Sequence, residues 1–235
     1  MTDAPKRFYK TASIEQSGDS WTVTLDDRPI KTPAKALLAL PTEALARVIA
    51  EEWNAQGEVL DLASMTLTKL ANVVLDRTPY QREAMAEELS NYAGTDVTCY
   101  LADGPTPLRE RQDAAWRPWR DWAGEKLGVV LLPVEGLMAS PQPQASLDAV
   151  KTYAIGLDDF RLTGLSWACA LYGSAILALA LEHGAISGSD ALKASCVDED
   201  WQIENWGEDD EAKAARAARA RDAEALQIWF QALST

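Results

Sequence analysis

Carboxylates are the side chains of this sequence with the clearest chemical potential, and eight of them fall within residues 198–211. Two carboxylates that face each other can serve as the acid and the base of a hydrolase. Glu199 and Glu204 are five positions apart, however, and therefore lie about 140° apart around a helix axis. This segment does not predict a catalytic pair. A carboxylate-dependent hydrolase stays open as an alternative if aspartates that are distant in sequence converge in the fold.

Other catalytic and cofactor sites lack the residues they need. His183 is the only histidine, which excludes histidine relays elsewhere in the chain and any site with several histidine ligands. The glycine-rich motifs that cradle phosphate groups are absent from the sequence. We therefore expect no catalytic residues, no cofactor and no metal, and a protein that is not an enzyme.

Glu199 interrupts an apolar pattern at helical spacing, formed by Leu192, Cys196, Ile203 and Trp206. A carboxylate on an apolar helix face is costly unless it is paired or hydrogen-bonded. One interpretation is that Glu199 pairs within the chain. The other is that it binds a basic group of a partner protein, which we favour because its neighbours in sequence are also acidic.

A second segment alternates tryptophan and arginine in a way that is typical of binding surfaces. Trp116, Trp119 and Trp122 recur every three residues, with Arg117 and Arg120 between them, and both residue types are enriched at binding hot spots. The alternative is that these rings pack the interface between the two parts of the molecule, since large aromatic residues dominate cores as well. The predicted partner-binding residues are Glu199, Trp201, Gln202, Glu204, Trp206, Trp116 and Trp119.

The composition favours a soluble protein that binds neither nucleic acid nor an anionic membrane. The chain has 36 acidic and 22 basic residues and a formal net charge of −14, whereas both of those partners reward clustered lysine and arginine. Cys99, Cys169 and Cys196 are far apart, which predicts buried thiols in a reducing compartment. The N-terminal residues lack the apolar core of a secretory signal.

Residues 162–181 carry no charge and have the length of a membrane span. Small and polar residues dilute their hydrophobicity, and no positive cluster flanks them. We therefore predict one buried central helix over residues 157–182, in which a charge introduced at Ala170 or Leu177 would be destabilising. A membrane-associated helical protein is the alternative.

The N-terminal part predicts a small antiparallel sheet. Strands are expected at residues 21–25 and from residues 6–10 with Ile14, and Asp26 and Asp27 are expected to form a turn. A helix follows Thr42, its predicted N-cap. The expected fold class is α+β, with a β-rich domain containing one helix at residues 1–62 and a mainly helical domain with one or two short strands at residues 63–235.

The C-terminal part alternates between short strands and helices. Strands are predicted at residues 96–100 and 129–132, and Pro118 is expected to break a helix at residues 109–127. Residues after 145 all follow a helical pattern. The later helices are predicted at residues 145–155, 157–182, 187–206 and 209–233.

Two segments are specific enough to indicate a family: LDDRPIKTP at residues 25–33 and DEDWQIENWG at residues 198–207. Further matching segments, in order along the chain, lie at residues 6–10, 45–56, 65–76, 96–100 and 112–122. Together they resemble the F1 ATPase assembly chaperones that act on the alpha subunit, also called ATP synthase mitochondrial F1 complex assembly factor 2. The resemblance covers nearly the whole chain.

The resemblance implies a non-enzymatic role in the assembly of ATP synthase. A member of this family holds the unassembled alpha subunit of F1 and prevents its aggregation until the beta subunit takes its place. We also expect a monomer that inserts into no membrane. Because the sequence begins almost at the segment KRFYK, we expect a cytoplasmic bacterial member; a processed eukaryotic form would lie in the mitochondrial matrix.

Overall fold

The computed structural model describes residues 5–136 and 140–234. The strands are β1 (Ala12–Ser17), β2 (Ser20–Leu25), β3 (Arg28–Pro29), β4 (Tyr100–Leu101) and β5 (Val134–Glu135). The helices are α1 (Glu43–Asn54), α2 (Thr66–Asp76), α3 (Arg82–Gly94), α4 (Thr106–Leu127), α5 (Gln144–Gly156), α6 (Asp159–Tyr172), α7 (Ala175–Glu182), α8 (Gly188–Ser195), α9 (Val197–Trp206) and α10 (Asp210–Leu233). Strands near the N-terminus and helices through most of the rest confirm the α+β class.

The chain forms two compact units. The first contains the residues up to Gln81 together with those from Ile228 onwards, so the last turns of α10 belong to it. The second contains Arg82–Gln227. The predicted division after residue 62 stays a prediction, because compact units need not coincide with domains that fold separately.

The first unit contains the predicted antiparallel sheet, in the order β1–β2–β3. Val23 and Leu25 of β2 are buried, but Thr22 and Thr24 beside them are buried as well, so the half-buried strand that the alternation predicts is covered on both faces. Asp26 and Asp27 join β2 to β3 with φ values of 45° and 65°. Positive φ at both central residues is typical of a two-residue hairpin turn, and Asp is among the residues that adopt it most readily.

Side chains also fix the two helices of this unit. Thr42 accepts a hydrogen bond from the Leu45 backbone N–H at 3.1 Å, which confirms it as the N-cap of α1. The Glu52 carboxylate on α1 accepts hydrogen bonds from the backbone N–H groups of Leu67 and Thr68 at 2.9 and 2.8 Å. Glu52 therefore satisfies donors at the start of α2 that the helix leaves unpaired.

The strand predicted from residues 6–10 and Ile14 is confirmed at Ile14, which lies in β1, and is wrong for residues 6–10, where Lys6 forms only an isolated bridge with Val59. The Arg7 guanidinium donates to the backbone oxygen of Gln56 at 2.5 Å, and the Tyr9 hydroxyl donates to that of Trp53 at 2.6 Å. Side-chain hydrogen bonds to the end of α1 thus hold this segment in place of a regular strand ladder.

In the second unit, the predicted single helix at residues 157–182 is two helices. Gly173 has a φ of 62°, a left-handed conformation that ends α6. The Ser174 hydroxyl then accepts from the Leu177 backbone N–H at 3.0 Å and starts α7, whose eight residues are all buried. Within the described ranges, no helix combines the length and apolar character that crossing a membrane requires.

Two further helix predictions are corrected. The helix predicted at residues 187–206 is divided at Cys196 into α8 and α9. Helix α4 continues through Pro118 without the expected break. Buried side chains on both sides of this proline are fixed, since Trp116 donates to the Ala194 backbone oxygen and Arg120 donates to that of Thr98.

The strand predicted at residues 96–100 is a 3-10 turn followed by β4. Asp96 is fully buried and accepts hydrogen bonds from the Thr98 N–H and hydroxyl at 3.0 and 2.8 Å. It also accepts from the Ser174 hydroxyl at 2.8 Å and the Ile176 N–H at 3.0 Å. Burial raises the pKa of Asp96, and these hydrogen bonds act in the opposite direction.

The strand predicted at residues 129–132 is absent because side chains bind its backbone groups. The Ser146 hydroxyl accepts from the Val130 N–H at 2.9 Å and donates to the Val130 oxygen at 2.7 Å. The Gln142 amide binds both backbone groups of Leu132, at 2.7 and 3.0 Å. The strand in this region is instead β5, which pairs in parallel with β4.

The burial of α7 gives a test with a matched control. Leu177 is fully buried, so Leu177→Glu places a charge in the core without a partner and should lower the free energy of unfolding by several kcal/mol, against a typical total of about 5–15 kcal/mol. Ala170 is exposed, which corrects the expectation for that position. Ala170→Glu should change stability by about 0.5 kcal/mol or less. Urea unfolding of both variants checks this, and equal stability would contradict the placement of α7 in the core.

Candidate functional site

A cavity of about 420 Å³ lies in the second unit between α4, α9 and the residues that follow β4; we call it the α4–α9 cleft. Its lining includes Tyr100, Asp103, Pro105, Leu108, Gln112, Asp198, Trp201, Gln202 and Trp206. The Gly104–Pro105 peptide bond in its wall is cis. Three of the predicted partner-binding residues, Trp201, Gln202 and Trp206, thus meet in one cleft.

Gln112 joins the three segments that line the cleft. Its side chain is 2% exposed, and its Oε1 accepts from the Ala102 backbone N–H at 2.7 Å. Its Nε2 donates to Asp198 Oδ1 at 2.6 Å. A buried amide with both ends hydrogen-bonded holds α4, α9 and the β4 segment at fixed separations.

Trp116 lies beneath the cleft and does not contribute surface to it. It is fully buried against Leu101 and Val197, and its Nε1 donates to the Ala194 backbone oxygen at 2.7 Å. The predicted partner contact of Trp116 is therefore corrected to an interior role. Trp119 is partly buried on α4 and is not among the residues that line the cleft.

Trp201 is held by an arginine from the opposite helix. The Arg111 guanidinium lies over the Trp201 ring, 5.3 Å from its centroid, and donates to Glu204 Oε1 at 2.8 Å. The hydrogen bond from Arg111 lowers the pKa of Glu204. A cation over the ring and an ion pair beside it fix Trp201 at the edge of the cleft.

Glu199 has a partner within the chain. Arg219 on α10 donates to Glu199 Oε2 at 2.7 Å and to Cys196 Sγ at 3.1 Å. Burial acts to raise the pKa of Glu199, but the hydrogen bond and charge of Arg219 outweigh it, and the pKa lies below its ordinary value. The interpretation that Glu199 pairs within the chain is therefore supported by its contact with Arg219.

The apolar stripe proposed around Glu199 is wrong. The helix is interrupted at Cys196, so the residues before and after it do not share one continuous helical face. Trp206 is 78% exposed, which no residue of a buried face would be. The prediction treated residues 187–206 as one continuous helix, whereas the chain forms α8 and α9 there.

The ionisation of the α9 carboxylates is unlike that of a glycosidase acid. A general acid needs a raised pKa, whereas the pKa values of Glu199 and Glu204 are both lowered. Asp200 is likewise paired with Arg216, at 2.7 Å. Three arginines thus pair with these carboxylates, and the lowered pKa values of Glu199 and Glu204 favour structural and recognition roles over acid catalysis.

The remaining candidate chemistry is sparse in the described part of the chain. Residues 5–136 and 140–234 contain no group of three His, Cys, Asp or Glu side chains that could hold a metal ion. His183 is the C-cap residue of α7, and its Nε2 lies 2.9 Å from the Tyr153 hydroxyl. This position agrees with a helix-end role for the histidine.

Sequence reasoning missed Gln112 and the segment at residues 102–105. A buried glutamine on an otherwise polar helix has no local signature in the sequence. The role of Gln112 depends on its hydrogen bonds to Ala102 and Asp198, which lie outside its own helix. For the segment at residues 102–105, the available signal in the sequence was the Gly104–Pro105 dipeptide, because this pair marks turns and loops.

Comparisons with known proteins confirm the resemblance found in the sequence. A family model described as ATP12 chaperone protein matches residues 6–124. The chain is 39% identical to Atp12 from Paracoccus denitrificans over 96% of this chain and 97% of that one, with a TM-score of 0.88. It is 36% identical to the Atu1473 protein from Agrobacterium tumefaciens over 97% of this chain and 86% of that one, with a TM-score of 0.92.

The ion pair of Glu199 predicts a small, pH-dependent contribution to stability. The two side chains are 41% and 33% exposed, so Glu199→Gln should cost about 0.2–1 kcal/mol at pH 7. Because the pKa of Glu199 is lowered in the folded state, this difference should be complete above the ordinary Glu pKa of about 4.3 and disappear as the pH falls through the folded value.

Denaturant titrations of both proteins between pH 7 and pH 3 measure the difference. Glu224→Gln removes an exposed carboxylate of α10 that forms no ion pair among the described residues, and it serves as the control. A loss that is the same at every pH would show that the charge of Glu199 is not what stabilises α9 against α10.

Proposed function

Because the chain belongs to the ATP12 chaperone protein family, we propose that it assists the assembly of ATP synthase by binding the unassembled alpha subunit of F1. The chaperone prevents aggregation of the alpha subunit until the beta subunit takes the place of the chaperone. A free subunit exposes a wide interface, which is an aggregation hazard. A chaperone for such a surface needs apolar contact area that does not itself aggregate.

The observation that carries the proposal is the exposure of Trp206 at the α4–α9 cleft. Its side chain is 78% exposed on a charged helix end. Exposed tryptophan is costly, and tryptophan is among the residue types enriched at binding hot spots. Trp201 and Tyr100 line the same cleft and extend the aromatic surface.

An acidic group of the α4–α9 cleft could pair with a basic group of the alpha subunit. Asp103 is exposed at the cleft and forms no ion pair in the part of the chain that the structure describes. It is therefore free to meet a basic group of the client. Contacts by Glu199, Glu204 and Trp119 stay predictions, since each glutamate would have to share or leave its arginine partner.

The arrangement suits a chaperone that must release its client. Polar and charged groups around a small aromatic centre give orientation and fast association more than extreme affinity. The cleft is also small beside a complete subunit interface, so a beta subunit with a larger complementary surface can displace the chaperone. Release then needs no nucleotide hydrolysis by the chaperone itself.

Truncation of Trp206 tests this function. Trp206→Ala removes an exposed ring, so the free energy of unfolding should change by about 0.5 kcal/mol or less. Affinity for the alpha subunit should fall about 30-fold, the effect of losing a hot-spot residue worth about 2 kcal/mol. Light scattering of the aggregating alpha subunit and titration of the purified pair measure the two quantities.

Tyr80→Ala is the matched control, because Tyr80 is 86% exposed and belongs to the first unit. It should protect the alpha subunit as the unmodified chain does. Full protection by Trp206→Ala, or an equal loss with Tyr80→Ala, would argue against the α4–α9 cleft as the client site.

A further inference from the structure

The lining of the α4–α9 cleft contains two carboxylates and no basic side chain. The carboxylates belong to Asp103 and Asp198, and the rings of Tyr100, Trp201 and Trp206 share the lining with them. The other lining residues are uncharged. Carboxylates and the faces of aromatic rings both attract positive charge, so the chemistry of the lining is complementary to an organic cation.

Neither carboxylate of the lining is neutralised by a cation of the chain. Asp103 is exposed and forms no ion pair within the described ranges. Asp198 accepts a hydrogen bond from the neutral amide of Gln112 at 2.6 Å, and residues 5–136 and 140–234 supply it with no other partner. It is partly buried in the first turn of α9, whose backbone N–H groups stabilise negative charge. The cleft therefore holds a fixed negative charge for which the chain provides no counter-ion.

Two arginines of α4 lie beside the cleft, and both have carboxylate partners outside its lining. Arg109 pairs with Glu135 at 2.7 Å and donates to the Ala102 backbone oxygen at 3.3 Å. Arg111 pairs with Glu204 at 2.8 Å. Neither glutamate belongs to the lining. The two carboxylates of the lining are thus left to a cation from another molecule.

The chain already places a guanidinium on one of the rings of the cleft. Arg111 lies over Trp201, 5.3 Å from its centroid. Trp206 is 78% exposed, and no cation of the described residues lies over its ring. A guanidinium is planar, stacks on aromatic faces and donates two parallel hydrogen bonds to a carboxylate, whereas an ammonium is a compact point charge. Rings beside carboxylates therefore favour arginine over lysine.

The second unit carries most of the negative charge of the chain. Residues Arg82–Gln227 include 25 of the 36 acidic and 13 of the 22 basic residues, so 12 of the 14 net negative charges lie on the unit that contains the cleft. A field of one sign accelerates the approach of a partner of the opposite sign and suppresses binding of the wrong one. Charge complementarity thus points to a basic surface on the partner.

We propose that the α4–α9 cleft is a subsite for one arginine side chain of the client. The guanidinium donates to the carboxylates of Asp103 and Asp198 and packs against the ring of Trp206. The cavity of about 420 Å³ lies near the lower end of the range for small-ligand sites, which suits one long side chain. The identity of the client rests on the function proposed above, whereas the charge and shape of the group it inserts follow from the cleft.

The first test needs no client and uses the full chain with three small probes: N-acetylarginine amide, N-acetyllysine amide and N-acetylcitrulline amide, which has nearly the shape of arginine without its charge. At constant ionic strength and millimolar concentration, the arginine probe should shift the indole N–H resonances of Trp201 and Trp206, which Trp201→Phe and Trp206→Phe assign. The citrulline probe should bind at least about tenfold more weakly, because hydrogen bonds between charged groups are lost. The lysine probe should also bind more weakly than the arginine probe.

Matched variants locate the binding of the arginine probe. Asp103→Asn and Asp198→Asn should each weaken it at least about tenfold. Glu224→Gln removes an exposed carboxylate of the same unit outside the lining and should not. Because Asp103 is exposed, Asp103→Asn decides the result if Asp198→Asn fails to fold. Absence of indole shifts, equal binding of the arginine and citrulline probes or of the arginine and lysine probes, or an equal loss with Glu224→Gln would overturn the proposal.

The second test uses the alpha subunit and separates this proposal from the function on which it rests. Asp103→Asn should weaken binding of the alpha subunit at least about tenfold and make its affinity less sensitive to sodium chloride, because one charge pair is lost. If Trp206→Ala weakens that binding but Asp103→Asn does not, the arginine subsite is wrong and the proposed function stands. If the arginine probe binds as predicted but the alpha subunit does not bind at all, the proposed function is wrong and the guanidinium site stands.

Discussion

The fully buried carboxylate of Asp96 joins the segment before α4 to the first turn of α7, and the α4–α9 cleft depends on that junction. Asp96 accepts from both polar groups of Thr98 and from the Ser174 hydroxyl. Arg120 on α4 donates to the backbone oxygen of the same Thr98. Because a buried polar group that loses its hydrogen-bond partners costs free energy, this cluster fixes the segment that leads into β4 and the wall of the cleft.

The charge of the protein is distributed so that the cleft is less acidic than the sequence indicates. The formal net charge is −14, yet Arg111, Arg216 and Arg219 pair with three of the carboxylates of α9. The lining of the cleft is therefore mainly aromatic, and its Asp103 has no ion pair among the residues that the structure describes.

Much of the fold follows from local patterns in the sequence. The alternation of β2 (Ser20–Leu25) and the capping position of Thr42 predicted a strand and a helix that the structure contains. The family was evident from segments in a fixed order. These features need only near neighbours in the chain, so a single sequence is sufficient to find them.

The wrong predictions concern positions where contacts between residues distant in sequence determine the local structure. The break at Gly173 separates α6 from α7, and its signal was a glycine that a long apolar run obscured. At Cys196 the backbone leaves the helical region without a glycine or proline, so nothing local predicted the division that places Trp206 on the surface. The interior role of Trp116 depends on the Ala194 carbonyl oxygen, which lies far away in sequence.

Hydrogen–deuterium exchange of the complex with the alpha subunit tests the central claim most directly, because it reports every protected segment of the chaperone at once. The account predicts slower exchange at residues 100–112 and 198–206, the two sides of the α4–α9 cleft, than in the free protein. Unchanged exchange in both segments, with protection elsewhere in the second unit, would contradict it.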